Sequence, residues 1–174
     1  TRRKNLLLRD LDELVNQQLA KMLFANPQRI DYYDRYQEII DAYNAEQNRA
    51  TIEKTFMDLM ELASSLDTEQ QRYVREGFSS DEELSVYDLL FSEKLTKQEI
   101  ETIKKVSVDL LTKIKQQIAK LDHWTDKQET KAIVDNLIRK TLWQELPNSY
   151  DVSDIQTYQK KIYEYVYMRY PEVA

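Results

Sequence analysis

Apolar residues recur three or four positions apart along nearly the whole chain, the period of one face of an α-helix. The first such stripe covers about 5–24, through Leu7, Leu8, Leu11, Leu14, Val15, Leu19, Met22 and Leu23. Asn26-Pro27 interrupts it. Asn is a good N-cap, and Pro at a first helical position loses no hydrogen bond, because that N–H has no partner inside the helix. A second helix is predicted over about 27–46, with Ile30, Tyr33, Tyr36, Ile40 and Tyr43 inward. A third covers about 50–66, with Ile52, Phe56, Leu59, Met60 and Ala63 inward.

Five further starts carry the Ser/Thr/Asp-x-x-Glu/Gln spacing of a capping box, in which each side chain satisfies the other residue's free backbone N–H. Asp67-x-x-Gln70 predicts a short fourth helix that stops at Gly77. Ser80-x-x-Glu83 opens a fifth, with Leu84, Tyr87, Leu90 and Phe91 inward. Thr96-x-x-Glu99 opens a sixth of about 25 residues, whose stripe runs through Ile100, Ile103, Leu110, Leu111, Ile114, Ile118 and Leu121. Thr125-x-x-Gln128 opens a seventh, with Ile133, Val134, Leu137, Ile138 and Leu142 inward, ended by Leu146-Pro147. Ser153-x-x-Gln156 opens the eighth, with Ile155, Tyr158, Ile162, Tyr165 and Val166 inward, closed by Pro171. The expected fold is all-α, a single compact bundle of about eight helices forming one domain over residues 1–174. No period of 30–45 residues marks a solenoid.

Composition narrows the chemistry. One Gly excludes the Gly-rich loops that cradle phosphates. No Cys and one His exclude thiol nucleophiles, disulfide staples and ordinary zinc sites. A di-iron bundle needs Glu-x-x-His twice, and the residue three before His123 is Lys120. His123, beside Trp124 at a helix junction, reads as a packing or capping residue. Glu129-Thr130-Lys131, with Asp122 and Asp126 upstream, matches the Glu-x-Lys of metal-dependent nucleases. It falls early in a predicted helix, where these are surface charges. No catalytic, cofactor or metal residue is therefore expected.

The net charge is −6 and uneven. Residues 1–90 carry 11 Lys/Arg against 18 Asp/Glu, while residues 94–140 carry 11 against 7. A basic face on the second half would offer Lys104, Lys105, Lys127 and Lys131 to nucleic acid, although the whole chain is far from the high pI of a dedicated binder. No run of 18 apolar residues suggests a membrane span. The lack of Cys fits a reducing, cytoplasmic setting.

Ten of the 12 Tyr fall on the second helix or on the last helix and its approach. Tyr163, Tyr167 and Tyr170 form a stripe beside the inward one. Tyr rings are apolar in body and polar at the tip, which suits either a packed helix pair or a partner-binding face.

Several blocks occur in an order that resembles a known family. They are Phe24-Ala25-Asn26-Pro27-Gln28-Arg29-Ile30-Asp31-Tyr32-Tyr33 with Arg35-Tyr36-Gln37-Glu38-Ile39-Ile40, then Arg75-Glu76-Gly77-Phe78 with Glu82-Glu83-Leu84-Ser85-Val86-Tyr87-Asp88-Leu89-Leu90, then Leu95-Thr96-Lys97-Gln98-Glu99. Trp124, Thr130, Ala132, Val134, Ile138, Leu146-Pro147 and Tyr150 follow. Over about 5–170 the chain resembles the C-terminal helical domain of the R subunit of type I restriction-modification enzymes. The resemblance implies a non-catalytic fragment of a bacterial or archaeal multidomain chain, consistent with a start at Thr1. The nuclease and the ATP- and Mg2+-dependent DNA translocase would lie in the rest of that parent. It further implies docking on the methyltransferase (M) subunits, with DNA as a partner of the whole complex. The alternatives are a DNA-contacting element of the same translocase and an independent all-α enzyme.

Overall fold

The computed structural model describes residues 2–173, and side chains from residue 5. It contains eight α-helices and no strand among the described residues: α1 Arg2–Ala25, α2 Ile30–Ala45, α3 Arg49–Gln70, α4 Arg72–Arg75, α5 Asp81–Leu90, α6 Lys97–Ala119, α7 Gln128–Glu145 and α8 Val152–Arg169. Short 3-10 turns precede α2 (Pro27–Arg29) and α7 (Trp124–Asp126). The all-α class and the eight helices are those the apolar period predicts. By internal contacts the chain divides into two units, Thr1–Asp81 and Glu82–Ala174.

In the first unit α1, α2 and α3 pack on one another. Leu8, Val15, Leu19 and Met22 of α1, Tyr36 of α2 and Leu59, Leu62 and Leu66 of α3 form the buried core. Gln18 of α1 donates to Asp67 of α3 at 3.0 Å, and Tyr36 donates its hydroxyl to Asp12 at 2.5 Å. Thr55 is buried because its hydroxyl finds a partner one turn back, the Thr51 carbonyl at 2.8 Å. Burying several methylenes at each of these Leu positions supplies roughly 2 kcal/mol apiece.

Several residues predicted inward are exposed: Leu7, Leu14, Ile30, Tyr33 and Met60. The reason is geometric. A helix buries a stripe about 100° wide, and these helices carry more apolar residues than one stripe holds. Leu7, Ile52, Phe56 and Met57 instead line an open groove of about 380 Å³.

The turns correct the cap assignments. Asn26 does cap, its side chain accepting from Gln28 N at 3.1 Å, but it starts a 3-10 turn before α2. The Arg29 guanidinium, 3 % exposed, donates to both Asp81 oxygens at 3.0 and 2.6 Å and to the Met22 carbonyl at 3.4 Å. Asp67 starts no helix, because α3 runs unbroken to Gln70. Its own cap is Asn48, which accepts from Thr51 N at 2.9 Å. Gly77 ends α4 as predicted, at φ 85°. Phe78 N bonds the Tyr73 carbonyl at 2.8 Å and Gly77 N the Val74 carbonyl at 3.1 Å, the paired bonds of a Schellman motif.

The second unit packs α6 on α7 and α7 on α8. Leu84, Leu90, Ile103, Leu110, Ile114, Ile118, Val134, Ile138, Leu142, Ile162 and Val166 are buried. Phe91 and Ile133, predicted inward, are 41 % exposed each. Thr96 and Glu99 form the predicted capping box. The box of α8 is Asp151 with Asp154, two residues before the predicted Ser153 and Gln156. Asp accepts a backbone N–H as well as Ser does, so spacing left both starts open. Thr125 caps nothing; it lies in the turn before α7, whose N-cap, Lys127, makes no side-chain cap bond.

Candidate docking face

The second 3-10 turn is entered through His123, a non-Gly residue in the left-handed region at φ 47°. His123 is exposed, 3.5 Å from the Asp122 carboxylate. It makes no side-chain cap bond, so what it contributes is the backbone bend. That bend delivers Trp124 into the interior at 0 % exposure. The indole Nε1 donates to the Tyr170 carbonyl at 2.7 Å, and the Thr130 hydroxyl donates to the Trp124 carbonyl at 2.6 Å. A buried indole N–H left unpaired costs about 1–3 kcal/mol, so this bond ties the end of α8 to the turn between α6 and α7.

Two tyrosines stand on this base. The Tyr163 and Tyr167 rings meet the indole edge-on, with centroids at 6.1 and 5.8 Å, and lie 6.1 Å from each other. Such pairs add about 0.5–1.5 kcal/mol each beyond area burial. Tyr163 is half-buried and Tyr167 is 39 % exposed. Burial first, then the nearby Asp135 and Tyr167, push the Tyr163 hydroxyl above its usual pKa.

Tyr170 does not belong with them. It is buried, its ring packed edge-on against Tyr165 at 6.1 Å, with the Lys115 ammonium 5.4 Å from the ring centroid. The stripe predicted for Tyr163, Tyr167 and Tyr170 breaks because α8 ends at Arg169 and Tyr170 leaves helical geometry at φ −125°, ψ 52°.

The lysines chosen for nucleic acid do not form one row. Lys104 lies 5.9 Å from the Tyr87 ring centroid. It is fifteen residues, about 22 Å of helix, before the end of α6, whereas Lys127 and Lys131 open α7. Lys105 and Lys127 are exposed and Lys131 half-exposed. Lys113 is taken up by Asp109 at 2.9 Å and Glu145 at 3.2 Å, and Lys115 by Glu82 at 2.6 Å. Glu129 is exposed on the first turn of α7, and among the described residues no three His, Cys, Asp or Glu gather as a metal would require. No described helix is long and apolar enough to cross a membrane.

What sequence reasoning missed is Trp124 as the base of the tyrosine pair. Its neighbours lie forty residues on, and only the return of α8 brings them there. Among known proteins, no curated protein and no solved structure matches the chain. One family model does, over residues 1–170, described as type I restriction enzyme HindI endonuclease subunit-like, C-terminal.

Proposed function

The chain belongs to the family of C-terminal domains of type I restriction enzyme HindI endonuclease subunit-like proteins, and on that premise we propose that it is an assembly domain. It docks the endonuclease and translocase subunit on the methyltransferase core, chiefly the M subunits. Nuclease chemistry and the ATP- and Mg2+-dependent motor belong, in this reading, to other parts of the parent chain.

One observation carries the proposal: Tyr163 and Tyr167 present aromatic surface outward from a buried base, Trp124. Aromatic side chains have few rotatable bonds and so lose little conformational freedom on binding, and Tyr and Trp are enriched in interface hot spots. The direct measurement is a binding titration of the full chain against the intact methyltransferase core of the same restriction system. Wild type is expected to bind at micromolar concentration or better. The Tyr163→Ala, Tyr167→Ala double variant is expected to bind at least tenfold more weakly with its helical circular dichroism retained. A folded chain that shows no binding to the core at these concentrations sinks the proposal.

A further inference from the structure

Trp124 is held at both ends. At its backbone, the Thr130 hydroxyl donates to the Trp124 carbonyl at 2.6 Å, with the Lys127 carbonyl further off at 3.0 Å. Thr130 stands in the first turn of α7, whose N-cap Lys127 makes no side-chain cap bond. Its hydroxyl therefore ties α7 back across the 3-10 turn. At the far end of the side chain, the indole Nε1 donates to the Tyr170 carbonyl at 2.7 Å. The last carbonyls of a helix have no partner inside it, and Tyr170, the C-cap of α8, offers such a group. An indole has a single N–H. Once that N–H is committed, the plane of the ring is set.

Two rings rest on that plane. Tyr163 and Tyr167 meet the indole at 81° and 85° and lie 37° from each other. The α8 backbone fixes only where their Cα atoms stand. Each side chain still selects among staggered rotamers about χ1, and Tyr167 has solvent open to it. The surface that favours one choice is the buried indole. The groups that set the indole, the Thr130 hydroxyl on α7 and the Tyr170 carbonyl beyond α8, belong to neither ring.

We propose that Trp124 and Thr130 are positioning residues of the docking site, and that the two hydrogen bonds fixing the indole also fix the orientation in which Tyr163 and Tyr167 meet the partner. The inference rests on the docking reading above and extends its site inward, to residues that the partner does not touch. The test compares Trp124→Phe, Thr130→Val and Thr130→Ser with wild type in the titration of the full chain against the same methyltransferase core. It is run at a temperature where circular dichroism shows the chains folded. Trp124→Phe keeps an aromatic ring and loses the N–H. Thr130→Val keeps the side-chain shape and loses the hydroxyl, which Thr130→Ser restores.

Trp124→Phe is expected to bind about tenfold and Thr130→Val about threefold more weakly, the range of one lost hydrogen bond. Thr130→Ser is expected to bind like wild type. A second readout separates positioning from plain loss of stability. Burial first, then Asp135 and Tyr167, hold the Tyr163 hydroxyl above its ordinary value of 10.0. Its titration is followed by NMR on chains labelled at the tyrosine Cζ, with Tyr163→Phe assigning the signal. In folded Trp124→Phe and Thr130→Val it is expected to move toward 10.0 as the ring turns to water. A chain that is merely less stable keeps the wild-type titration while folded. If Trp124→Phe does not fold, the Thr130 variants decide alone. If the folded variants bind like wild type while the Tyr163, Tyr167 double variant does not, this inference is overturned and the docking reading stands. Weaker binding with an unchanged Tyr163 titration also overturns it, as a structural effect. If wild type itself fails to bind the core, the docking reading falls and this inference with it.

Discussion

Two residues hold positive φ angles, and they differ in what they cost. Gly77 at φ 85° closes α4 without strain, since Gly has no Cβ to meet the following carbonyl. A Cβ placed there meets nothing within 4 Å, so the effect of Gly77→Ala is backbone strain alone. The expected loss is about 1 kcal/mol, read as a lower denaturant midpoint with an unchanged slope. His123 at φ 47° bears that strain in the native protein. His123→Gly is expected to raise stability by about 0.5 kcal/mol, the relief of strain less the extra freedom Gly has in the unfolded chain. A loss of stability in that variant would show that the imidazole makes a contact worth more than the strain. Gly77 was legible in sequence because a lone Gly after a helical run has one cheap use. His123 was not, because nothing local marks a His for the left-handed region.

At the scale of elements, local chemistry and tertiary packing divide the outcome. The capping box of α6 was legible, because Thr96 and Glu99 need only each other's backbone. Thr96→Ala is expected to cost about 1 kcal/mol. Glu99 also receives the Ser149 hydroxyl. That bond first, then the Thr96 backbone N–H, holds its carboxyl below the ordinary value of 4.5. A carboxyl lowered in the folded state adds stability that is present above pH 4.5 and is lost as pH falls through the folded value. Denaturation curves of wild type are therefore expected to weaken below pH 4.5, and Glu99→Gln to remove that part of the dependence. Equal acid sensitivity in the two proteins would place the proton uptake elsewhere. Helix existence and rough extent were likewise legible for α1, α3, α6, α7 and α8. The faces of α1 were not: Leu7 and Leu14 satisfy the same period as Leu8 and Val15, and only the positions of α2 and α3 choose between them.

For the whole molecule, the tyrosines at the end of α8 are expected to divide between stability and the proposed docking. Tyr170 is buried and Tyr167 is 39 % exposed. Tyr170→Ala is expected to cost about 3 kcal/mol, as for a large buried aromatic. Tyr167→Ala is expected to cost under about 1.5 kcal/mol, mostly its ring contact with Trp124. Thermal melts of the two variants beside the core-binding titration check this: Tyr170 governs the melt, Tyr167 the binding. The reverse ranking would return Tyr167 to the core and remove the proposed docking face. Neither assignment was open to sequence reasoning, which placed Tyr163, Tyr167 and Tyr170 on one stripe by assuming that the helix continued.

The sequence alone determined the helical class, most helix limits, the scarcity of His, Cys and Gly, and the family resemblance. These rest on composition and on interactions between residues a turn apart, which a linear reading can see. Tertiary structure alone decided which of two apolar stripes is buried and why Asp67 opens no helix. It also put Trp124 under Tyr163 and Tyr167. Each of these depends on residues distant in sequence competing for the same buried volume, and that competition is settled only when the helices pack.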